Sequence, residues 1–332
     1  MNRILHWITG VSFLLAGCSA TALAAPATGT SSPSATPSVT PSITPTSSPS
    51  PTSTPSPVPT PTWVVQGPDA VTVPILLYHH IALSPIGSRY YVSPDRFEEQ
   101  MRLLRNWEYT PITTSMLVEA IHEGRSLPPR PILLTFDDGN EDNYTTAFPI
   151  MQKYGMTGVL YLTYNYLDGD GFIKPDQVRE MTAAGWEVGS HSISHPDLTG
   201  DVSPGRLRSE IVDSRQKLED LLGVPILTFA YPFGDVGSAV VDYVKFAGYI
   251  AAVGATGYTP NQGLGNLYNL QREEIKGSED AKTFIRFLPW HGDPIFLPTD
   301  TPTATPKPSR TPVPTYTPYP SRTPKPSPTP VP

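Results

Sequence analysis

The chain has one cysteine, Cys18, among 332 residues, so no intrachain disulfide can staple the fold. Its stability has to come from a packed core and from any metal it binds. A membrane-length apolar run is missing as well. The run from Ile8 to Leu15 is too short to cross a bilayer. Basic excess is also absent: the formal net charge is −7, and Arg3, Lys307, Arg310, Arg322 and Lys325 all lie outside the central part, which is therefore more acidic than the whole. That balance argues against nucleic acid or an anionic membrane surface as the main partner, while a neutral or amino-sugar polymer is not repelled.

Proline is abundant but unevenly placed. More than half of the 41 prolines fall in residues 26–62 and 298–332, mixed with Ser and Thr. Such segments cannot bury enough apolar surface to offset chain entropy, so they are expected to be disordered or extended. The domain reading is a signal peptide over 1–24, a Pro/Ser/Thr-rich linker over 25–62, a catalytic domain over 63–297 and a Pro/Thr-rich tail over 298–332. Leu15-Ala16-Gly17-Cys18 matches a lipobox, which makes a lipid anchor on Cys18 and a cell-surface or extracellular location the expectation. Cleavage after Ala22-Leu23-Ala24 is the alternative, and it would discard Cys18.

Two motifs carry the chemistry. Pro131-Ile132-Leu133-Leu134 reads as a buried strand running into Thr135-Phe136-Asp137-Asp138-Gly139, two adjacent carboxylates at a glycine turn. Adjacent carboxylates in apolar surroundings are costly unless a cation neutralises one of them. Roughly fifty residues on, the strand-like Trp186–Ser190 leads into His191-Ser192-Ile193-Ser194-His195. The i, i+4 spacing predicts two imidazoles on one face of a helical turn. One carboxylate and two imidazoles make a three-ligand set with positions left open for water and substrate, and the second carboxylate is free to act as a base. That pattern points to a hydrolase.

Around these motifs, strand-like and helix-like segments alternate. Strands are expected at Val71–Tyr78, Gly158–Leu162, Trp186–Ser190, Ile226–Ala230, Tyr249–Val253 and Tyr268–Arg272. Helices are expected from Pro94, over Met116–His122, Tyr144–Tyr154, Pro175–Ala184, Ser203–Leu222, Val240–Ala247 and Ser278–Leu288. The alternation predicts a parallel sheet with right-handed crossovers and chemistry at the carboxyl ends of the strands.

Thr135–Gly139 and His191–His195 resemble the first two motifs of the NodB-like polysaccharide deacetylases, carbohydrate esterase family four, over roughly residues 72–290. The resemblance implies an α/β fold, an irregular (β/α) barrel of about seven strands. It implies Asp137 as general base, with Asp138, His191 and His195 as ligands of a divalent metal. Zinc is the first choice, and cobalt, nickel or manganese are compatible with the ligand types. Phe229-Ala230-Tyr231-Pro232-Phe233-Gly234 is similar to the third motif, with Phe233 and Tyr231 implied at the oxyanion and substrate. Ala230 stands where many members carry arginine, so the arginine that braces the base is expected to be missing. The last motif supplies the acid, and Leu288-Pro289-Trp290-His291 is a poor copy of it. Ile75-Leu76-Leu77-Tyr78-His79 fits at the other end of the domain, as in circularly permuted members that resemble exported poly-N-acetylglucosamine deacetylases. His79 is therefore the implied general acid, with His80 as its competitor. Tyr90, Tyr91, Tyr164, Tyr166 and Phe172 are candidates to stack on sugar rings. The expected activity is removal of N-acetyl groups from an extracellular N-acetylglucosamine polymer by a monomer that touches membrane only through its anchor. The alternatives are an acetylxylan-type O-deacetylase or an inactive polysaccharide-binding protein.

Overall fold

The computed structural model describes residues 64–292. The expected signal, Cys18, the linker and the tail lie outside the described residues. Ten strands occur in this order: β1 Ala70–Thr72, β2 Ile75–Tyr78, β3 Thr110–Pro111, β4 Pro131–Asp138, β5 Val159–Leu162, β6 Glu187–Ser190, β7 Thr228–Ala230, β8 Ala251–Val253, β9 Asn261–Gly263 and β10 Glu273–Glu274. Seven form one parallel path, β10-β2-β4-β5-β6-β7-β8, with β3 added on β4. Leu270 exchanges backbone hydrogen bonds with Ala252 and Gly254, and Ile275 N–H donates to Leu77 O. The segment between them therefore touches both edges of the sheet and closes the ring. The alternating pattern predicts the parallel sheet, and its closure is the irregular seven-stranded barrel that the family resemblance implies.

Strand parity sorts the side chains. Ile75, Leu133, Val159, Tyr161, Ala230, Ala251 and Val253 pack together inside the barrel. Leu76, Tyr78, Leu134, Phe136, Leu160, Leu162, Phe229 and Tyr231 pack outward under the helices. Both sets are apolar because a parallel sheet is covered on both faces. The helix Thr114–Glu123 shows how the crossovers are bounded: Thr113 Oγ1 accepts from Met116 N–H at 3.2 Å, and Gly124 ends it at φ 65°.

Several boundaries differ from the sequence expectation. Val71–Tyr78 is two strands, because Pro74 cannot donate to a ladder and the chain turns there. β1 pairs antiparallel with β9 outside the barrel, while β2 enters it. The expected strand Tyr268–Arg272 is a single bridge at Leu270, and the regular pairing falls on β10. Two helices contain π-helical stretches, Asn143–Ala147 and Arg208–Asp213. Among the described residues no helix is long and apolar enough to cross a membrane.

Candidate active site

A cleft of about 380 Å³ opens at the carboxyl ends of the strands, and it brings together His79, Asp137, Asp138, His191, His195 and Phe233. Parity explains part of this. Ile75, Leu77 and His79 alternate onto the interior face, as do Leu133, Thr135 and Asp137, so His79 and Asp137 meet at the mouth of the barrel. Asp138 would point outward by the same count, but its backbone is left-handed at φ 72° and turns it to the cleft. Gly139 follows at φ 83°, and a Cβ there would stand 2.8 Å from Leu162 Cδ2, so the turn needs glycine.

Asp138, His191 and His195 offer ligand atoms within 4.8 Å of one another. Asp138 Oδ1 lies 3.6 Å from His191 Nε2 and 3.5 Å from His195 Nε2. Two atoms bound to one tetrahedral metal at about 2.0–2.1 Å stand about 3.4 Å apart, so the spacing suits a small divalent ion. The electrostatics agree. Asp138 Oδ1 is buried without a hydrogen-bond partner. Burial, and then the neighbouring Asp137, push the Asp138 carboxyl above its ordinary range. Burial holds His191 down at about 3, so this imidazole is neutral and cannot itself compensate the carboxylate. Its Nδ1–H donates to Ala230 O at 2.8 Å, which leaves the Nε2 lone pair facing Asp138. The donor set fits a divalent cation.

The histidines are not on a helical turn, contrary to the spacing. Ser192 (φ 69°) and His195 (φ 56°) are left-handed, and the segment is a loop. Ser192 Oγ accepts from His195 N–H at 2.9 Å. Buried Glu210 holds the middle of the loop: it accepts from Ile193 N–H at 3.0 Å, Ser194 N–H at 2.9 Å and Ser194 Oγ–H at 2.6 Å. Glu210 lies in the π-helical stretch, where the extra residue per turn re-aims a side chain. Nothing in the residue pattern marked it.

The expected absence of an arginine at the base is overturned. Arg272, fully buried, donates from Nη1 to Asp137 Oδ1 and from Nη2 to Asp137 Oδ2, both at 2.7 Å. Its Nε–H donates to Gly254 O at 2.8 Å, and Nη1 also reaches Thr135 Oγ1 at 3.2 Å. The guanidinium comes from the segment that closes the barrel rather than from the Ala230 position. Burial alone would raise Asp137, but the Arg272 guanidinium outweighs it and holds the carboxyl at about 2. Adjacent carboxylates are thus driven in opposite directions.

His79 lines the cleft with its ring edge-on to Tyr90 at 4.8 Å, and burial lowers it to about 4 despite the nearby Asp137. His291 is elsewhere, 5.5 Å from the Trp107 ring. Phe233, 63% exposed and left-handed at φ 61°, stands edge-on to His195 at 4.6 Å. Tyr231 does not reach the cleft. Like Phe229 it faces the helices, fully buried, and its hydroxyl donates to Tyr268 O at 2.8 Å. Tyr90 and Tyr91 line the cleft and Tyr166 stands beside it, its ring 6.3 Å from that of His195, whereas Tyr164 and Phe172 are not part of the lining.

Residues 124–252 match the family model described as polysaccharide deacetylase. The chain carries a polysaccharide deacetylase domain. It is 26% identical over 216 residues to YxkH of Bacillus subtilis (strain 168), a protein named for polysaccharide deacetylation, covering 65% of this chain and 76% of that one. It is 24% identical over 255 residues to the poly-β-1,6-N-acetyl-D-glucosamine N-deacetylase of Escherichia coli (strain K12), covering 63% of this chain and 37% of that protein. Among solved structures, a polysaccharide deacetylase from Bacillus cereus superposes with a TM-score of 0.59 at 28% identity, covering 66% of this chain and 69% of that one. The deacetylase family makes the chain a hydrolase of the amide-cleaving type.

Proposed function

We propose that this polysaccharide deacetylase domain is metal-dependent and removes N-acetyl groups from an extracellular N-acetylglucosamine polymer, releasing acetate and leaving a free amine. The observation that carries the reading is the division between two adjacent carboxylates. Asp137 is locked two-to-two on Arg272, and Asp138 is left without a hydrogen bond between two histidines. Similarity to a poly-β-1,6-N-acetyl-D-glucosamine N-deacetylase supports the choice of polymer.

Asp138, His191 and His195 would hold the metal, zinc by ligand type with cobalt, nickel or manganese also accommodated. Bound there, it would supply Lewis acidity toward water and the acetyl carbonyl. The chain's own groups do the rest. Arg272 keeps Asp137 ionised and fixes its orientation, so the carboxylate accepts the proton of the attacking water. The backbone N–H of Phe233 donates to the oxygen on which negative charge develops. His79, which burial keeps neutral in the free cleft, relays to the departing sugar nitrogen the proton that Asp137 took from the water, without which an amine is a poor leaving group. Cleavage of the C–N bond then gives acetate and the amino sugar. A lipid anchor on Cys18, followed by the proline-rich linker over 25–62, would carry the domain out into wall or matrix polymer.

Acetate release from a β-1,6-linked N-acetylglucosamine oligomer and from acetylxylan, with and without a chelator, tests the reading. Chelator-sensitive release from the amino-sugar oligomer is expected. Release from acetylxylan alone would reassign the substrate, and chelator-resistant turnover would remove the metal. For location, the wild type should fractionate with membranes and Cys18→Ser should not.

A further inference from the structure

His80 lines the cleft, the proposed mechanism leaves it unused, and both its backbone and its ring are held in place. Its backbone is paired on both sides: His80 N–H donates to Tyr90 O at 3.0 Å, and Val92 N–H donates to His80 O at 2.9 Å. Its ring stacks on Tyr91, with centroids 4.0 Å apart and planes 8° from parallel. Its Nδ1 lies 2.7 Å from Asp142 Oδ2. Asp142 is itself fixed, because its Oδ1 accepts from Ile81 N–H at 2.9 Å and from Asn143 Nδ2–H at 3.2 Å. One polar atom of the ring, Nε2, has no partner assigned by these contacts, and the residue lines the cleft beside His79 and Tyr91.

The tautomer follows from the partner. An ionised carboxylate only accepts, so the proton of a neutral ring resides on Nδ1 and Nε2 carries a lone pair. A lone pair fixed on a cleft wall receives an O–H or N–H donor and repels an anionic group.

We propose that His80 is a specificity-determining residue: its Nε2 accepts a hydrogen bond from a hydroxyl of the sugar unit in the cleft, and Asp142 positions it for that role. This rests on the polysaccharide deacetylase reading above. The residue then selects neutral hydroxylated sugars without taking part in proton transfer to the leaving group. Losing one such hydrogen bond weakens binding by about tenfold.

The test uses the full-length protein and a β-1,6-linked N-acetylglucosamine pentamer. His80→Phe keeps the ring and its contact with Tyr91 but removes both nitrogens. It should raise KM for the pentamer about tenfold while kcat falls less than about threefold. Asp142→Asn presents an N–H to Nδ1, moves the ring proton to Nε2 and should raise KM in the same way. On the wild type, long-range ¹⁵N–¹H spectra should show Nδ1–H in the free protein and a shift of the His80 Nε2 resonance as pentamer is added. That measurement stands even where a variant fails to fold. An unchanged KM in His80→Phe, a loss confined to kcat, an Nε2–H tautomer or an unmoved Nε2 resonance each overturns the assignment. A wild type that turns over the pentamer but gives any of those results sinks this inference alone. A wild type that releases no acetate from it sinks the functional reading and this inference together.

Discussion

Asp137, near the carboxyl end of β4, and Glu187, at the amino end of β6, each bury carboxylate oxygen at opposite ends of the same barrel, and their charges are treated in opposite ways. Asp137 receives a full guanidinium and is held at about 2. Glu187 receives Ser115 N–H at 3.1 Å on one oxygen, while its Oε1 is buried without a partner, and burial pushes its carboxyl up. Burial by itself therefore favours the neutral acid, and a charged carboxylate inside this barrel requires a dedicated cation. The carboxyl end has further signs of construction for chemistry. Among the described residues, three of the seven left-handed non-glycine residues, Asp138, His195 and Phe233, line the cleft, and a fourth, Ser192, lies in the loop between the two histidines.

The strongest way to break this contrast is Arg272→Met. It strands a buried charge and should cost about 3–5 kcal/mol in denaturant unfolding, with a loss of at least about a hundredfold in acetate release. Adding Asp137→Asn to it should recover most of the stability and none of the activity. A change below about 1 kcal/mol would mean that Arg272 does not compensate Asp137 as the geometry implies.

Glu210→Ala removes the acceptor that fixes the loop of His195 without touching a ligand. Metal affinity, read by competition with a chromophoric chelator, should fall about 10–100-fold. Equal affinity in the variant would show that the loop holds its shape unaided.

Much of this site was legible because its parts are local. Asp137 and Asp138 end an apolar strand, and His191 follows another, so residue type and position suffice. His79 was reachable through the likeness of Ile75–His79 to the family's last motif, and the alternation Ile75, Leu77, His79 explains why it faces the cleft. Arg272 was not, because its partner lies 135 residues away and the contact exists only once the barrel closes. The helical expectation for His191 and His195 failed since spacing does not reveal the left-handed backbone at Ser192 and His195. Tyr231 was misplaced because two residues on from an outward-facing Phe229 the strand again faces outward. Glu210 sits in a helix whose π-helical stretch is not visible in its periodicity.

Phe233→Gly sharpens the contrast in strain. The side chain is mostly exposed, so removing it loses little packing, and glycine adopts φ 61° freely. Stability should rise by about 1 kcal/mol while turnover of polymer declines. A stability loss would show that the ring packs more than its exposure suggests.

The smallest effect belongs to the other end. A raised carboxyl means that the fold binds the proton more tightly than the unfolded chain does. The stability it contributes is full at low pH and is lost as pH rises through the carboxylate range. Glu187→Gln should therefore raise the melting temperature at pH 7 by roughly 2–4 °C, and the gain should vanish near pH 4. A gain that is independent of pH would locate the effect in packing instead of charge.

The division of labour between the adjacent carboxylates is tested most directly by measuring bound metal and acetate release on the same preparations of Asp137→Asn and Asp138→Asn. Asp137→Asn should retain the metal content of the wild type and lose activity, and Asp138→Asn should lose both. Full activity in Asp137→Asn, or loss of its metal together with retention in Asp138→Asn, would contradict the account.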